Sequence, residues 1–435
     1  MSFLKMGAKN TLSNWRHSIG AVLSVAIGYA SLTMFNGYIS VIQDMYEDNY
    51  RQRSMFGDVF IEKTKGGSRI DFEDSKISLS EQSFIEAFFE KNKKDIDTYS
   101  NFLIISGLAN NGKTSSIFWG FAYDFDRGKT LREPSWIWNS KAGRPLDQLT
   151  DDSIMLGQDI GDAFGCKPEK EVRLLTKVGG YSPVERKFNC DKKSLQLSVT
   201  TDAGQVNAMK FNVGALGGVG LRGIDSWYLM MSLKKAQQLF DTDTISHIRL
   251  RLKSTKQFDD FVAKFNSEAR RNNLELEAFD WREHVLARVY KRTMSLFLTF
   301  RNFVSAVILT ISGMSVLNSI VKSVTERRRE IGTLRSLGFR RSAIKSIFAI
   351  EGLIVGLVGS AMGAVVSLIF SVFINQFEFI YYAGFLSDPV PFVIGNETKL
   401  YLISLCISCV ISVIASYVAS KKAAKSEIPQ LLAAT

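Results

Sequence analysis

Four stretches of this chain contain no Asp, Glu, Lys or Arg: Ser18 to Ile42, Asn302 to Val321, Gly352 to Phe377, and Leu400 to Ser420. Each is about 20 residues or longer, which is what a helix rising ~1.5 Å per residue needs to cross a hydrocarbon core ~30 Å thick. Membrane-spanning helices are therefore expected at 18–42, 302–321, 346–377 and 400–420, the third taken back to its amphipathic approach. The first run extends well beyond the roughly 7 to 15 apolar residues of a secretory signal, so it reads as a retained anchor. Average composition hides this segregation, because 46% hydrophobic content over 435 residues is ordinary for a soluble protein.

Charge orients the spans. Segments 1–17, 322–345 and 421–435 hold 14 basic residues against Glu326, Glu330 and Glu427, an excess equal to the whole formal net charge of +11. Segments rich in Lys and Arg stay on the cytoplasmic side. Both termini and 322–345 are therefore expected in the cytoplasm, and the large segment 43–282 and the loop 378–399 outside it. The basic balance is a topology signal; a nucleic-acid partner would need a basic patch on a folded domain, and none is evident.

Residues 105 to 114, ISGLANNGKT, fit the phosphate-cradling pattern G-x-x-x-x-G-K-[ST] at Gly107, Gly112, Lys113 and Thr114. Such a loop works only when it opens a helix whose N-terminal amides hold the phosphates. Here β-branched and aromatic residues follow, and Asn110-Asn111-Gly112-Lys113 supplies a tight hairpin turn. The stretch also falls in the outside segment, away from ATP, so it is read as a hairpin.

The outside segment, roughly 245 residues, is long enough for one large or two small cores. Near its start come a strand at Asp58 to Glu62, a helix opened by the capping box Ser78 to Glu81, and a strand at Phe102 to Ser106. Near its end come the alternating strand His247 to Leu252, a helix after Ser254 with Phe258, Phe261, Val262 and Phe265 on one face, and a strand at Leu274 to Phe279. Two β-α-β units imply one α+β sheet with helices on one face. Residues 115–245, with Gly179-Gly180 and Gly217-Gly218, read as an inserted β-rich lobe. An amphipathic stalk helix is expected over 283–301, leading into the second span.

TERRREIGTLRSLGFRRSAIKSIFAIEG, residues 325 to 352, is a charged cytoplasmic helix with Ile331, Leu334 and Leu337 along one side, a stop at Gly338, and a second basic helix re-entering the membrane. A solvated loop has no need of an apolar stripe. The stripe with its arginines is expected to dock a cytoplasmic partner. In the third span, Gly352, Gly356, Gly359 and Gly363 permit close helix approach, within the chain or between two copies. Glu351 is an intramembrane charge near the cytoplasmic edge, where an arginine or water can meet it. Cys166 and Cys190, in the outside segment, are a possible disulfide; Cys406 and Cys409 sit in the fourth span as packing residues. Trp136 and Trp138 suit a core better than a binding surface. His17, His247 and His284 are scattered, and neither metal-ligand spacing nor a catalytic constellation is found.

The passage 325–363 resembles the signature of the FtsX-like permease family, the membrane subunits of MacB-type, mechanotransmitting (type VII) ABC transporters. The order of one span, a large outside domain and three further spans is similar too, and SKKAAKSEIPQLLAAT resembles that family's tail at Pro429 and Leu431. The resemblance implies an α-helical membrane protein with four transmembrane helices and a large α+β extracytoplasmic domain, a porter-like part with an inserted lobe. It implies that Glu326, Arg327, Arg328, Arg329, Glu330, Ile331, Leu334, Arg335, Leu337, Gly338 and Phe339 couple to a separate ATPase subunit. ATP and Mg would be bound by that partner, with no cofactor in this chain. A second permease copy or paralogue, membrane lipid, and lipoproteins or a periplasmic adaptor are the other partners implied, at the inner membrane of a cell.

Within the family, lipoprotein release and efflux stay open, with Phe279 to Arg282 resembling the lipoprotein-releasing branch. Control of a cell-wall hydrolase is disfavoured by the size of the outside domain. From another class, a membrane-anchored signalling or scaffold protein remains an alternative.

Overall fold

The computed structural model describes residues 15–65, 68–69, 76–169, 183–220, 222–377, 379–381 and 388–425. Lys5, Lys9, the Gly179-Gly180 pair, and the tail with Glu427, Pro429 and Leu431 lie outside these. The chain forms two compact units: one from 1–43, 294–379 and 392–435, the other from 44–293 and 380–391.

The second unit is built on one continuous sheet. In chain order its elements are β1 (Val59–Lys65), α2 (Leu79–Lys91), β2 (Ile96–Asn110), β3 (Ser115–Tyr123), α3 (Phe125–Arg132), β4 (Ser140–Gly143), β5 (Ser153–Leu156), α4 (Gln158–Ala163), β6 (Ser194–Thr200), β7 (Val206–Gly217), β8 (Tyr228–Ser232), α5 (Leu233–Phe240), β9 (His247–Leu252), α6 (Phe258–Arg271) and β10 (Leu276–Asp280). The helix α1 (Trp15–Asp48) precedes them. Strands run in the order β10-β1-β9-β2-β3-β8-β5-β7-β4, with β6 pairing both β7 and β2.

In the first four strands, β10-β1-β9-β2, each neighbouring pair is antiparallel. Their order makes a split β-α-β arrangement. The capping box at Ser78 and Glu81 starts α2 as the sequence predicts. Ser254 instead caps a single 3-10 turn, Thr255–Gln257, ahead of α6. Phe88 of α2 and Phe265 of α6 meet edge to face at 5.1 Å over the buried Val59, Ile61, Ile248 and Leu250.

The inserted lobe is a closed barrel, a closure that no local pattern of the sequence indicates. Because β6 bonds to both β7 and β2, strands β2, β3, β8, β5, β7 and β6 form a ring with no free edge. Leu195, Leu197 and Val199 alternate inward from β6, and meet Leu103, Ile105, Phe118, Leu156 and Phe211 in its core. A disulfide joins Cys166 to Cys190, and Cys166 is buried in that core. The GKT stretch is a hairpin between β2 and β3: Gly112 has φ +88°, and Asn111 Oδ1 accepts from the amides of Lys113 and Thr114 at 2.9 and 2.7 Å.

The other face of the split sheet departs from expectation. Alternation in β9 suggests a wetted Arg249, yet its side chain is fully buried. Register explains the grouping: Glu62 lies opposite His247, Phe60 opposite Arg249, and His247 opposite Phe102, so all project to one side. Arg249 donates through Nε to His247 Nε2 at 2.9 Å and through Nη1 to the Ser54 carbonyl at 2.7 Å, with its guanidinium 4.1 and 4.3 Å from the Phe102 and Phe121 ring centres. Burial pulls its pKa down to about 9, still protonated at neutral pH. His284, far away in sequence, bonds Glu62 on the same face. Two of the histidines that look scattered therefore sit 5.9 Å apart, ring centre to ring centre.

The first unit contains most of α1 and of α7 (Arg288–Glu326), together with α8 (Arg328–Ser336), α9 (Arg341–Gln376) and α10 (Thr398–Lys425). Helices α1, α7, α9 and α10 are long and apolar enough to cross a membrane. All four overrun the uncharged runs, because a charged residue at a membrane boundary does not stop a helix. The expected stalk begins as two 3-10 turns, Trp281–Glu283 and Val285–Ala287, before α7 continues unbroken.

Candidate functional site

The expected coupling element is α8 with its two flanks. At its start the chain breaks helix at Arg327, which has φ −102° and ψ 20° between α7 and α8. At its end Gly338 adopts φ +91°, a left-handed conformation that glycine reaches without a Cβ clash. The Gly338 amide donates to the Arg335 carbonyl and the Phe339 amide to the Leu334 carbonyl, both at 3.1 Å. This is the double bond pattern of a Schellman stop, with Leu334 and Phe339 packed beside it.

The apolar stripe does not all face one way. Ile331 is buried in the bundle's own core with Val324, Ile344 and Phe348, and Leu334 packs against that cluster. Leu337 is 73% exposed. The spacing is the reason: steps of three at ~100° per residue carry position 337 about 120° away from position 331. Part of the stripe expected to anchor a partner thus seats α8 on its own bundle. The outward face carries Arg328, Arg329, Glu330, Leu337 and Gly338, with Arg340 and Arg341 following.

Glu351, fully buried on α9, meets an arginine: its Oε2 lies 3.3 Å from Arg327 Nη1. The same guanidinium reaches Glu330 Oε2 at 2.8 Å through Nε and lies 5.7 Å from the Phe348 ring centre.

The four glycines of α9 pack within the chain. A Cβ on Gly352 would clash with Ser416 Oγ and stand 2.7 Å from the Ser412 carbonyl, and one on Gly356 would lie 3.0 Å from Cys409 Cα, all on α10. On Gly359 and Gly363 it would meet α1, 2.7 Å from Val25 Cβ and 2.5 Å from the Ala26 carbonyl. Ser404, Ser408, Ser412, Ser416 and Ser420 form a buried ladder along α10. Its four-residue repeat is a sequence signal of that packed face, and the more conspicuous C-x-x-C pair masks it. Trp136 and Trp138 are buried, and Trp136 Nε1 donates to Asp48 at 2.7 Å. No cluster of metal-ligating residues occurs among the described residues.

Residues 302–428, which include α8, Glu351 and all four glycines, match the FtsX-like permease C-terminal family. This part of the chain is an FtsX-like permease domain. The lipoprotein-releasing system transmembrane protein LolC of Neisseria meningitidis serogroup B is 24% identical over 294 residues, 64% of this chain and 64% of LolC. The macrolide export ATP-binding/permease protein MacB of Escherichia coli K12 is 40% identical over 102 residues, 23% of this chain and 15% of MacB. The matched stretches thus span less than two thirds of either relative. The periplasmic region of MacB from Actinobacillus actinomycetemcomitans superposes with a TM-score of 0.31 at 11% identity, covering 55% of this chain and 92% of that one. Within the permease domain, the outward residues of α8 are the exposed part of the segment that carries the family resemblance.

Proposed function

We propose that this chain is the permease subunit of an ABC transporter, with 322–345 in the cytoplasm and the sheet-and-barrel unit outside an inner membrane. A separate ATPase would dock on the outward face of α8, and its ATP-driven motion would reach the outer unit through the long helices. Two permease chains would complete the complex. The observation that carries this is the permease-domain match over 302–428, with a basic, Leu337-bearing surface inside it. An enzyme site is not part of the proposal; hydrolysis belongs to the partner.

Among substrates we favour lipoprotein release. The similarity to LolC extends over 294 residues and so takes in more than the permease domain, whereas that to MacB stops at 102.

The test is mass spectrometry of proteins that co-purify with the tagged chain from mildly solubilised native membranes. An ABC ATPase should be recovered, with lipoproteins beside it. Leu337→Glu should lose the ATPase while the chain still folds. Repeated recovery without an ATPase, from membranes that express candidates, would favour a scaffold protein instead.

A further inference from the structure

We propose that Glu351 is the positioning residue of the coupling helix, holding α8 at a fixed angle through Arg327. Arg327 is the hinge itself, the one residue between α7 and α8. Its amide still donates to the Ser323 carbonyl and its carbonyl accepts from the Ile331 amide, so both helices lean on it. Ile331 and Leu334 seat α8 on the bundle, but backbone continuity leaves the angle at the joint free to swing about that seat. The side chain restrains that angle: one guanidinium bonds Glu330 on α8 and Glu351 on α9, so three helices share one cation.

The surroundings make this restraint strong. The Glu351 side chain is fully buried and that of Arg327 is 12% exposed, so water screens the pair little. Glu330, by contrast, is 61% exposed and adds direction more than strength. Glu351 Oε1 has no hydrogen-bond partner among the described residues, which leaves Arg327 as its described ionic partner. A buried ion pair is a poor way to gain stability, since apolar side chains of similar size often do as well. It is a good way to specify one geometry. The neighbouring Gly352 packs closely on α10, so a carboxylate at 351 stands beside a tight helix contact.

The functional consequence rests on the coupling reading above; the positioning itself does not. The test is hydrogen–deuterium exchange of the full-length protein in detergent, read over residues 328–338. Glu351→Gln should speed exchange there by at least about tenfold while peptides of the outer unit stay unchanged. The paired variant Arg327→Met/Glu351→Leu removes both charges and keeps the volume. It should retain the wild-type thermal midpoint yet show the same fast exchange, which a merely structural role would not produce. Unchanged exchange in either variant would overturn the proposal, as would faster exchange everywhere with a falling midpoint. Because no ATPase enters this measurement, a failed ATPase capture would sink the coupling reading and leave the positioning result standing.

Discussion

Asp388 is clasped by Arg53 and Lys141, each nitrogen 2.8 Å from a different carboxylate oxygen, with all three side chains nearly out of solvent. Arg53 ends the helical turn Asn49–Arg53 that follows α1, Lys141 lies on β4, and Asp388 belongs to the segment between α9 and α10, so one carboxylate gathers three distant pieces of chain. Although burial works against it, the two cations hold its pKa at about 2.

Asp388→Asn should be costly, because it takes the carboxylate from two buried cations, a loss on the order of 3 kcal/mol. The apparent thermal midpoint is the readout. For pH, the depressed carboxyl stabilises the folded state fully above its unfolded value of 3.8 and loses that contribution as pH falls towards 2, about 2 kcal/mol in all. A midpoint scan between pH 5 and 2 should show the wild-type advantage over Asp388→Asn shrinking across that window.

His247 predicts a second pH effect, nearer neutrality. Burial first, then Arg249 and His284, push its pKa well below 6.5, so it is neutral when folded. The unfolded chain takes up a proton below about 6.5, and the folded one does not. Stability should therefore be greatest above that value and fall by about 1.4 kcal/mol per pH unit below it. Comparing midpoints at pH 7.5 and 5.5 for wild type and His247→Gln checks this. The variant should lose most of the decline, and an equal decline in both would assign it to other groups.

Gly352→Ala should force α9 and α10 apart, at a cost of about 1 to 3 kcal/mol. Pairing it with Ser416→Gly removes the clash with the Ser416 hydroxyl but leaves the new methyl 2.7 Å from the Ser412 carbonyl. Rescue of the midpoint by the second change should thus be partial. Full rescue would mean that the helix backbones are not in contact there.

The Cys166–Cys190 bridge closes a loop with a sequence separation of 24. Chain entropy puts its contribution at about 3.5 kcal/mol, and Cys166→Ser/Cys190→Ser should lower the unfolding midpoint in denaturant accordingly. The disulfide lies in the outer unit, with Cys166 in the barrel core, so the permease domain should keep its helices in that variant, as circular dichroism can report.

Much of this fold is written locally. The capping box at Ser78 and Glu81, the turn at Asn111 and Gly112, the stop at Gly338 and the long uncharged runs each depend on residues a few positions apart. That is why their places are legible in the amino-acid order alone. The α8 surface is legible by the same kind of signal, although three-residue spacing hides the turn of Leu337 away from Ile331.

Local sequence therefore dictates which segments become helix or strand, which can cross a membrane, and the motif that marks the permease domain. These follow from backbone preference and hydrophobic period, which act over one or two turns. Tertiary structure alone settles the closure of the barrel, the meeting of Glu62, His247, Arg249 and His284, the Asp388 clasp, and the Glu351 grip on Arg327. In each case the partners come from distant or separate elements, and strand register or helix packing brings them together. A buried charge is tolerable only where its partner arrives, and no local rule of sequence says where that will be.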